Sequence, residues 1–344
     1  MPKRANILMI YTGGTIGMKK TPKGYMPESG YLQSLMANQR ELNGEHLPKY
    51  TVIELKPLLD SSNMAPSDWV KIAQTVHDNY ADYDGFLVIH GTDTMAYSSS
   101  AASFLLEQLD KPVIFTGSQI PMQEFRNDGV ENLLATLLYL QQYCFYLSGV
   151  FLCFAGKLMR GNRVTKVSAK TYEGFASPNL SPVGEAGIGC DLGLEWSLVS
   201  RVENHSDELP DIIARPVQVG VFKLYPGMTP AFVRAVLAAP MQGMVLECYG
   251  AGNGPDGNAE IMAEIKAAAD RGVVLVAVTQ PQIGNINLDL YAAGVALRDV
   301  GVVSGFDMTT EAALTKLYYL LSKYDDIETV KHQITVSLAG ELTR

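Results

Sequence analysis

Hydroxyls, one carboxylate and one lysine gather in this chain where buried strands should end. The run Ile7-Leu8-Met9-Ile10-Tyr11 stops abruptly at Thr12-Gly13-Gly14-Thr15-Ile16-Gly17. Asp60-Ser61-Ser62-Asn63-Met64 comes after the weakly alternating stretch Thr51 to Leu55. His90-Gly91-Thr92-Asp93-Thr94-Met95 follows Gly85 to Ile89, and Thr116-Gly117-Ser118-Gln119 follows Pro112 to Phe115. In an open α/β sheet the loops leaving the carboxyl ends of strands line the ligand crevice, so all of these segments can face one site. Further on, Gly156 to Lys166 is basic, and its glycines suggest a hairpin. Together they supply a nucleophile, polar groups for a substrate and a proton relay without any metal. Ordinary roles compete at each position. Asp93 fits a helix N-cap, Ser61 and Ser62 a turn or cap, Lys166 a solvated surface lysine, and His90 a hydrogen-bonded core histidine.

No acidic or basic residue lies between Asn6 and Met18, which narrows what the first loop can bind. A phosphate-binding loop needs a lysine after its second spaced glycine, which is absent, and the dinucleotide glycine fingerprint fails because position 12 is threonine. What is left is a tight turn that presents threonine hydroxyls.

The elements that must hold these loops alternate between strand and helix. Pro66-Ser67 opens a helix whose Trp69, Ile72, Ala73, Val76 and His77 lie at helical spacing, and Met95 to Leu109 reads as a second helix. Asp128, with Glu131 three residues on, has the form of a capping box ahead of the apolar stripe Val130, Leu133, Leu134, Leu137 and Leu138. Gly149 to Cys153 is the next strand. From Ala186 to Pro216 the chain turns irregular and polar and reads as an interdomain linker between residues 1–185 and 217–344. Beyond it strands are expected at Val217 to Phe222, Gly243 to Leu246, Val273 to Val278 and Val302-Val303. Helices are expected at Pro230 to Leu237, at Ala259 to Asp270 and after Thr309-Thr310. This alternation predicts two α/β domains with mostly parallel sheets and right-handed crossovers.

Composition sets the outer limits. The 344 residues are 47% hydrophobic and 18% charged, which suits folded domains rather than disorder. A net charge of -9 argues against a nucleic-acid surface. The longest apolar runs are too short to cross a bilayer, which takes roughly 20 residues. The weakly basic start, Pro2 to Asn6, precedes an apolar run too short for a secretion signal, which needs roughly 7–15 such residues. Cys144, Cys153, Cys190 and Cys248 are scattered, with neither a CxxC pair nor a histidine at metal-ligand spacing, and read as reduced thiols in a cytoplasmic protein.

The motifs TGGTIG at 12–17, DSSNM at 60–64, HGTDTM at 90–95 and RGNRVTK at 160–166 resemble the bacterial L-asparaginase family, its cytoplasmic type I branch above all. They stand in the family's order, and the resemblance spans essentially the whole chain. It implies a larger N-terminal and a smaller C-terminal domain. It also implies a site between the N-terminal domain of one subunit and the C-terminal domain of its neighbour, hence a homodimer or a dimer-of-dimers homotetramer. The implied reaction is hydrolysis of L-asparagine to L-aspartate and ammonia through a threonine acyl-enzyme, with no cofactor.

Residue by residue, the resemblance places the nucleophile at Thr15 and a helping tyrosine, from the mobile loop that follows, at Tyr25. It places a relay at Thr92, Asp93 and Lys166. Asp60, Ser61 and Ser62 hold the substrate's α-amino and α-carboxylate groups, with Thr92 and Asp93 also facing the substrate. At Ser118 a backbone carbonyl faces the substrate amide. Two other readings stand beside this one. The first is the asparaginase-like subunit of a tRNA-dependent amidotransferase, which usually has an extra domain ahead of this first motif and which the acidic balance disfavours. The second is a non-catalytic amino-acid sensor, which would not need a nucleophile and a base together.

Overall fold

A central strand of a parallel sheet is covered on both faces, so it needs no polar alternation. The first strand, β1 (Asn6–Gly13), is buried from Ile7 onward. The structure, a computed structural model, describes residues 3–22, 24–189, 191–199, 209–212 and 214–344. The chain divides into two compact units, Met1–Ile212 and Ile213–Arg344.

In the first unit β1 is followed by the hairpin β2 (Met18–Thr21) and β3 (Gly24–Pro27), then α1 (Tyr31–Ala37), β4 (Lys49–Leu59) and α2 (Pro66–Asp78). Next come β5 (Gly85–Ile89), α3 (Met95–Leu105), β6 (Pro112–Thr116), α4 (Gly129–Tyr143), β7 (Gly149–Phe154) and β8 (Lys157–Arg160). The short pair β9 (Thr165–Lys166) and β10 (Phe175–Ala176), then β11 (Gly184–Ala186) and β12 (Leu192–Leu194), complete it. Eight strands form one sheet in the order β12-β11-β8-β7-β6-β5-β1-β4. From β4 through β7 they run parallel, and β8, β11 and β12 are antiparallel. The chain leaves β1 for β4 on one side and returns to β5 on the other, so the strand order reverses beside β1. A crevice opens at such a reversal, outside the carboxyl ends of the strands. Tyr11 pairs with Ile89, which brings the loops after β1 and β5 to one level.

Three details differ from expectation. α3 ends at Leu105 rather than Leu109, because Leu106 already leaves the helical backbone with ψ 74 and Gln108 follows at φ 56. Asp128 makes no capping hydrogen bond to α4. Its carboxylate accepts instead from Gln119 N and Ile120 N, while Asn127 Oδ1 accepts from Gly129 N at 3.0 Å. In the segment 186–216 the residues Leu192–Leu194 are hydrogen bonded to β11 at the antiparallel edge of the first sheet. Residues 200–208 and 213 of that segment lie outside the described residues.

The second unit is a four-stranded parallel sheet of β13 (Val219–Lys223), β14 (Gly243–Cys248), β15 (Val274–Thr279) and β16 (Val302–Ser304), in that order. Its helices are α5 (Pro230–Val236), α6 (Ala259–Asp270), α7 (Ala292–Asp299), α8 (Thr310–Lys323) and α9 (Ile327–Ile334). Thr229, Asn258, Thr309 and Asp326 cap four of them through side-chain oxygens, which satisfies amides that a helix start leaves open. Lys316 and Glu341 form a fully buried ion pair at 2.6 Å. Lys316 also donates to two backbone carbonyls and Glu341 accepts from two backbone amides, so neither charge is left uncompensated. Cys144, Cys153 and Cys248 are buried, and burial pushes each thiol up to about 12, where it packs as a small apolar residue. Cys190 lies outside the described residues.

Candidate active site

The loops after β1, β5 and β6 pack backbone against backbone, with the Ser61 side chain of the loop after β4 against them, and glycine is what lets them. Gly14 has φ 91, and a Cβ there would overlap Gly91 N. A Cβ on Gly91 would meet Ser61 Oγ at 2.5 Å, and one on Gly117 would overlap the His90 carbonyl. Any side chain at Gly14 or Gly91 would pry the loops apart. Thr15 and Thr92 each directly follow one of these two touching glycines.

The two threonines of the first loop have different roles. Thr12 is buried and its hydroxyl donates to Ile89 O at 3.1 Å, tying β1 to β5. Thr15 opens a short 3-10 turn, Thr15–Gly17, and is half-buried. Among the described residues nothing is hydrogen bonded to its hydroxyl, which stays free for a ligand. Met122 N donates to Ile16 O and pins the turn from behind.

Lys166 reaches Thr92 and Asp93 together. Its Nζ donates to Thr92 Oγ1 at 2.9 Å and to Asp93 Oδ1 at 2.7 Å. Thr92 is buried, whereas the Asp93 side chain is 61% exposed, so the carboxylate stays open to an incoming group. Asp93 thus pairs with a lysine and does not cap α3, whose first residues receive no side-chain cap. Lys166 lies on β9, paired with Phe175 of β10, and its side chain, mostly buried and bonded to Thr92 and Asp93, is not freely solvated.

Ser61 is buried between the loops after β4 and β5. Its Oγ accepts from Asp93 N at 3.3 Å, and its carbonyl accepts from the Thr94 hydroxyl at 2.8 Å. Asp60 caps its own turn through Ser62 N at 3.1 Å, and both Asp60 and Ser62 face outward. Ser118 is buried, its hydroxyl donating to Ile120 O at 2.7 Å. Tyr25 stands apart. It lies on β3, 39% exposed, and its hydroxyl donates to Glu124 Oε1 at 2.6 Å rather than to Thr15. That bond pushes the phenol above its usual pKa.

Two residues that bond to expected site residues were given no role from sequence. Gln119 accepts from the Thr92 hydroxyl at 3.3 Å, and Glu124 receives Tyr25. Gln119 closes the strand-end segment Thr116-Gly117-Ser118-Gln119, so its place was legible although its partner was not. Glu124 has no local signal, because its contact is made far along the chain.

His90 is only half satisfied. Its Nδ1 is hydrogen bonded to Gly91 O at 2.7 Å, and Nε2 has no partner. Burial pushes its pKa from the usual 6.5 down to about 4, against a smaller opposing pull from the Gly91 carbonyl and Asp68. An unfolded chain binds this proton below pH 6.5, whereas the folded one does so only near pH 4. Stability contributed by the neutral ring is therefore complete above pH 6.5 and is lost as pH falls toward 4, about 3 kcal/mol in all. In urea unfolding, moving from pH 7 to pH 5 should cost the natural chain about 2 kcal/mol more than a His90→Phe variant. Equal losses would place the titration elsewhere.

Among the described residues no group of three or more His, Cys, Asp or Glu side chains is arranged to hold a metal ion. No described helix is long and apolar enough to cross a membrane. The family model described as asparaginase, N-terminal, matches residues 6–198, and that of the glutaminase/asparaginase C-terminal domain matches residues 218–334. The chain belongs to the asparaginase family. It is 45% identical to L-asparaginase 1 of Escherichia coli over 344 residues, 99% of each chain. The crystal structure of L-asparaginase I from Vibrio cholerae superposes with a TM-score of 0.89 at 44% identity, covering 99% of this chain and 100% of that one. The thermostable L-asparaginase of Thermococcus kodakarensis superposes with a TM-score of 0.87 at 33% identity, covering 98% and 99%. The asparaginase N-terminal region contains Thr15, Tyr25, the 60–62 segment, Thr92, Asp93, Ser118 and Lys166.

Proposed function

We infer that the chain hydrolyses L-asparagine to L-aspartate and ammonia, with Thr15 as nucleophile. The observation that carries this reading is the hydrogen-bonded set Lys166–Thr92–Asp93 at the strand-order reversal, together with a Thr15 hydroxyl that has no hydrogen-bond partner among the described residues. Asp60, Ser61, Ser62 and Asp93 hold the substrate's α-amino and α-carboxylate groups. Thr15 Oγ attacks the side-chain amide carbon while its proton passes to a neighbouring base, and Tyr25 helps in this step. Backbone amides near Thr92 stabilise the oxyanion, each typically worth ~2.7–4 kcal/mol in other enzymes. The Ser118 carbonyl faces the leaving amide. That proton is returned to the amide nitrogen, and collapse of the tetrahedral species then expels ammonia and leaves a β-aspartyl ester on Thr15. Water, activated through Thr92 and Lys166, then cleaves that ester.

The active form is a homodimer or dimer of dimers, and its place is the cytoplasm. Release of ammonia from L-asparagine by the purified chain tests the reading directly. A chain that binds asparagine and releases none would be an amino-acid sensor. One that needs a partner and charged tRNA would be an amidotransferase subunit.

Substrate choice follows from the same contacts. With the α-groups held by fixed side chains, glutamine's extra methylene carries its amide past Thr15, and a misplacement of ~1 Å can cost about 100-fold in rate. Asparagine should therefore exceed glutamine by about 100-fold in kcat/KM, mostly in kcat. Equal efficiencies in side-by-side kinetics would make the chain a mixed glutaminase-asparaginase.

A further inference from the structure

A lysine that passes protons must first lose one, and the structure holds Lys166 to its charge. Its Nζ donates to Asp93 Oδ1 at 2.7 Å and to Thr92 Oγ1 at 2.9 Å. An ammonium has three hydrogens and no lone pair, so in this arrangement it cannot accept from Thr92. The carboxylate beside it favours the charged form. Among the described residues the ammonium is bonded to these two side chains alone, and Asp93 is its one ion-pair partner. On its own strand it is paired with Phe175, which carries no charge. Other ionisable side chains on the neighbouring segments are engaged elsewhere or turned outward. The buried His90 is bonded to Gly91 O, Asp60 caps its own turn, and Glu173 is paired with Lys157. Arg163 is buried with a partner of its own, and Lys170 is exposed. What can change is the open side of Asp93. Its side chain is 61% exposed, and among the described residues nothing donates to Oδ2.

We propose that the substrate starts this relay with its own α-ammonium group: by joining the open side of Asp93 it drives one proton from Lys166 into water, so that only amides carrying such a group are turned over well at neutral pH. Two cations on one carboxylate stand about 5 Å apart, where repulsion near a protein surface moves a proton equilibrium by about two pH units. The proton leaves through the exposed fifth of the Lys166 side chain, and the amine gains a lone pair. The Thr92 hydroxyl, held loosely by Gln119 at 3.3 Å, then turns its hydrogen to the amine. As water attacks the ester on Thr15, its proton passes to Thr92 Oγ1 while the Thr92 hydrogen passes to Lys166. When the ester breaks, a proton returns along the same path to Thr15 Oγ, and the amine is neutral again. The new carboxyl sheds its remaining proton to water. Departure of aspartate, which has the same α-ammonium, restores the proton and the Lys166–Asp93 pair. N-acylated asparagine and asparagine inside a peptide have no ammonium to offer and leave the relay idle.

The inference rests on the reading of Asp93 as the α-amino site and of Thr92 and Lys166 as the relay, and the test separates the two. Succinamate is L-asparagine without its α-amino group, so the protein itself need not be altered. For each amide kcat is measured at saturation from about pH 6 to about pH 9.5, where it reports groups in the enzyme–substrate complex. Both should rise with pH, and the rise with succinamate should lie about two pH units higher. Asparagine should therefore exceed succinamate in kcat by about 100-fold at pH 6, and by less than about tenfold at pH 9.5. In Asp93→Asn the succinamate rise should move down by about one pH unit or more, because the anion that holds the proton is gone. Should that variant not fold, the two profiles of the natural chain decide. Profiles that coincide, a succinamate kcat that stays low at every pH, or an unmoved rise in Asp93→Asn would overturn the proposal. So would a difference confined to KM, which would make the α-amino contact one of binding alone. No ammonia from L-asparagine at any pH would sink the functional reading instead.

Discussion

Replacing Thr15 by alanine is expected to lower kcat for L-asparagine by about 10⁴-fold or more, the scale on which loss of a nucleophile acts in other hydrolases. Binding of asparagine, read by calorimetry, should remain measurable, because in the proposed reading the segments at 60–62 and 92–93 hold the ligand through groups other than this hydroxyl. The choice of Thr15 over Thr12 is physical. The Thr12 hydroxyl is buried and committed to Ile89 O, so Thr12→Val should cost stability, about 1 kcal/mol, rather than chemistry. Thr15 sits beyond the glycine pair, half-buried, on a turn fixed by Met122 N. Thr15→Ser keeps a hydroxyl there and should retain far more activity than Thr15→Ala. An alanine variant that kept more than a few per cent of the natural rate would remove Thr15 from the mechanism.

That choice between two threonines marks a limit of what a sequence shows. Both flank the same glycines, and only the pairing of β1 with β5 decides which hydroxyl is used up. Segments buried on both faces were legible because nothing competes with an apolar run: β5 and β6 lie where Gly85 to Ile89 and Pro112 to Phe115 place them. α2 was legible from its proline start and spacing. The hairpin β2–β3 was not, since it exposes most of its residues and shows no apolar run. β12 was lost for a related reason, being only Leu-Gly-Leu added to the edge of a sheet. Local rules also erred where a distant group outbid them. Asp128 has the form of a cap, yet the amides of Gln119 and Ile120 claim its carboxylate and Asn127 serves instead. Similarly, Asp93 is drawn from helix α3 to Lys166.

The strand-end rule picked out the loops that carry Thr15, the 60–62 segment, Thr92, Asp93 and Ser118, the resemblance added Tyr25 and the relay through Lys166, and neither gave the partners. Thr92, Asp93 and Lys166 were expected together, and their hydrogen bonds join them. Tyr25 was expected beside Thr15, and its hydroxyl is bonded to Glu124. No periodicity or spacing reports a bond between side chains so far apart in the chain.

Lys166→Met is the second large expected effect: kcat lower by about 10³-fold, within the range that general acid–base groups contribute, with KM changed only a few-fold. The ammonium lies behind Thr92 and Asp93, so its removal disturbs proton movement more than the contacts that hold the substrate. Stability is not at issue. The Lys166 and Asp93 side chains are 20% and 61% exposed, and an ion pair this open contributes about 1 kcal/mol at most, so thermal midpoints should stay close. Lys166→Arg then tells charge from chemistry. Arginine restores a cation of similar reach, but its guanidinium does not give up a proton in a protein and cannot pass one along the relay. If Lys166 moves protons, the arginine variant should be nearly as slow as the methionine one. Recovery with arginine would mean that Lys166 serves only as a positive charge, and a rise in KM with kcat intact would make it a substrate-binding residue.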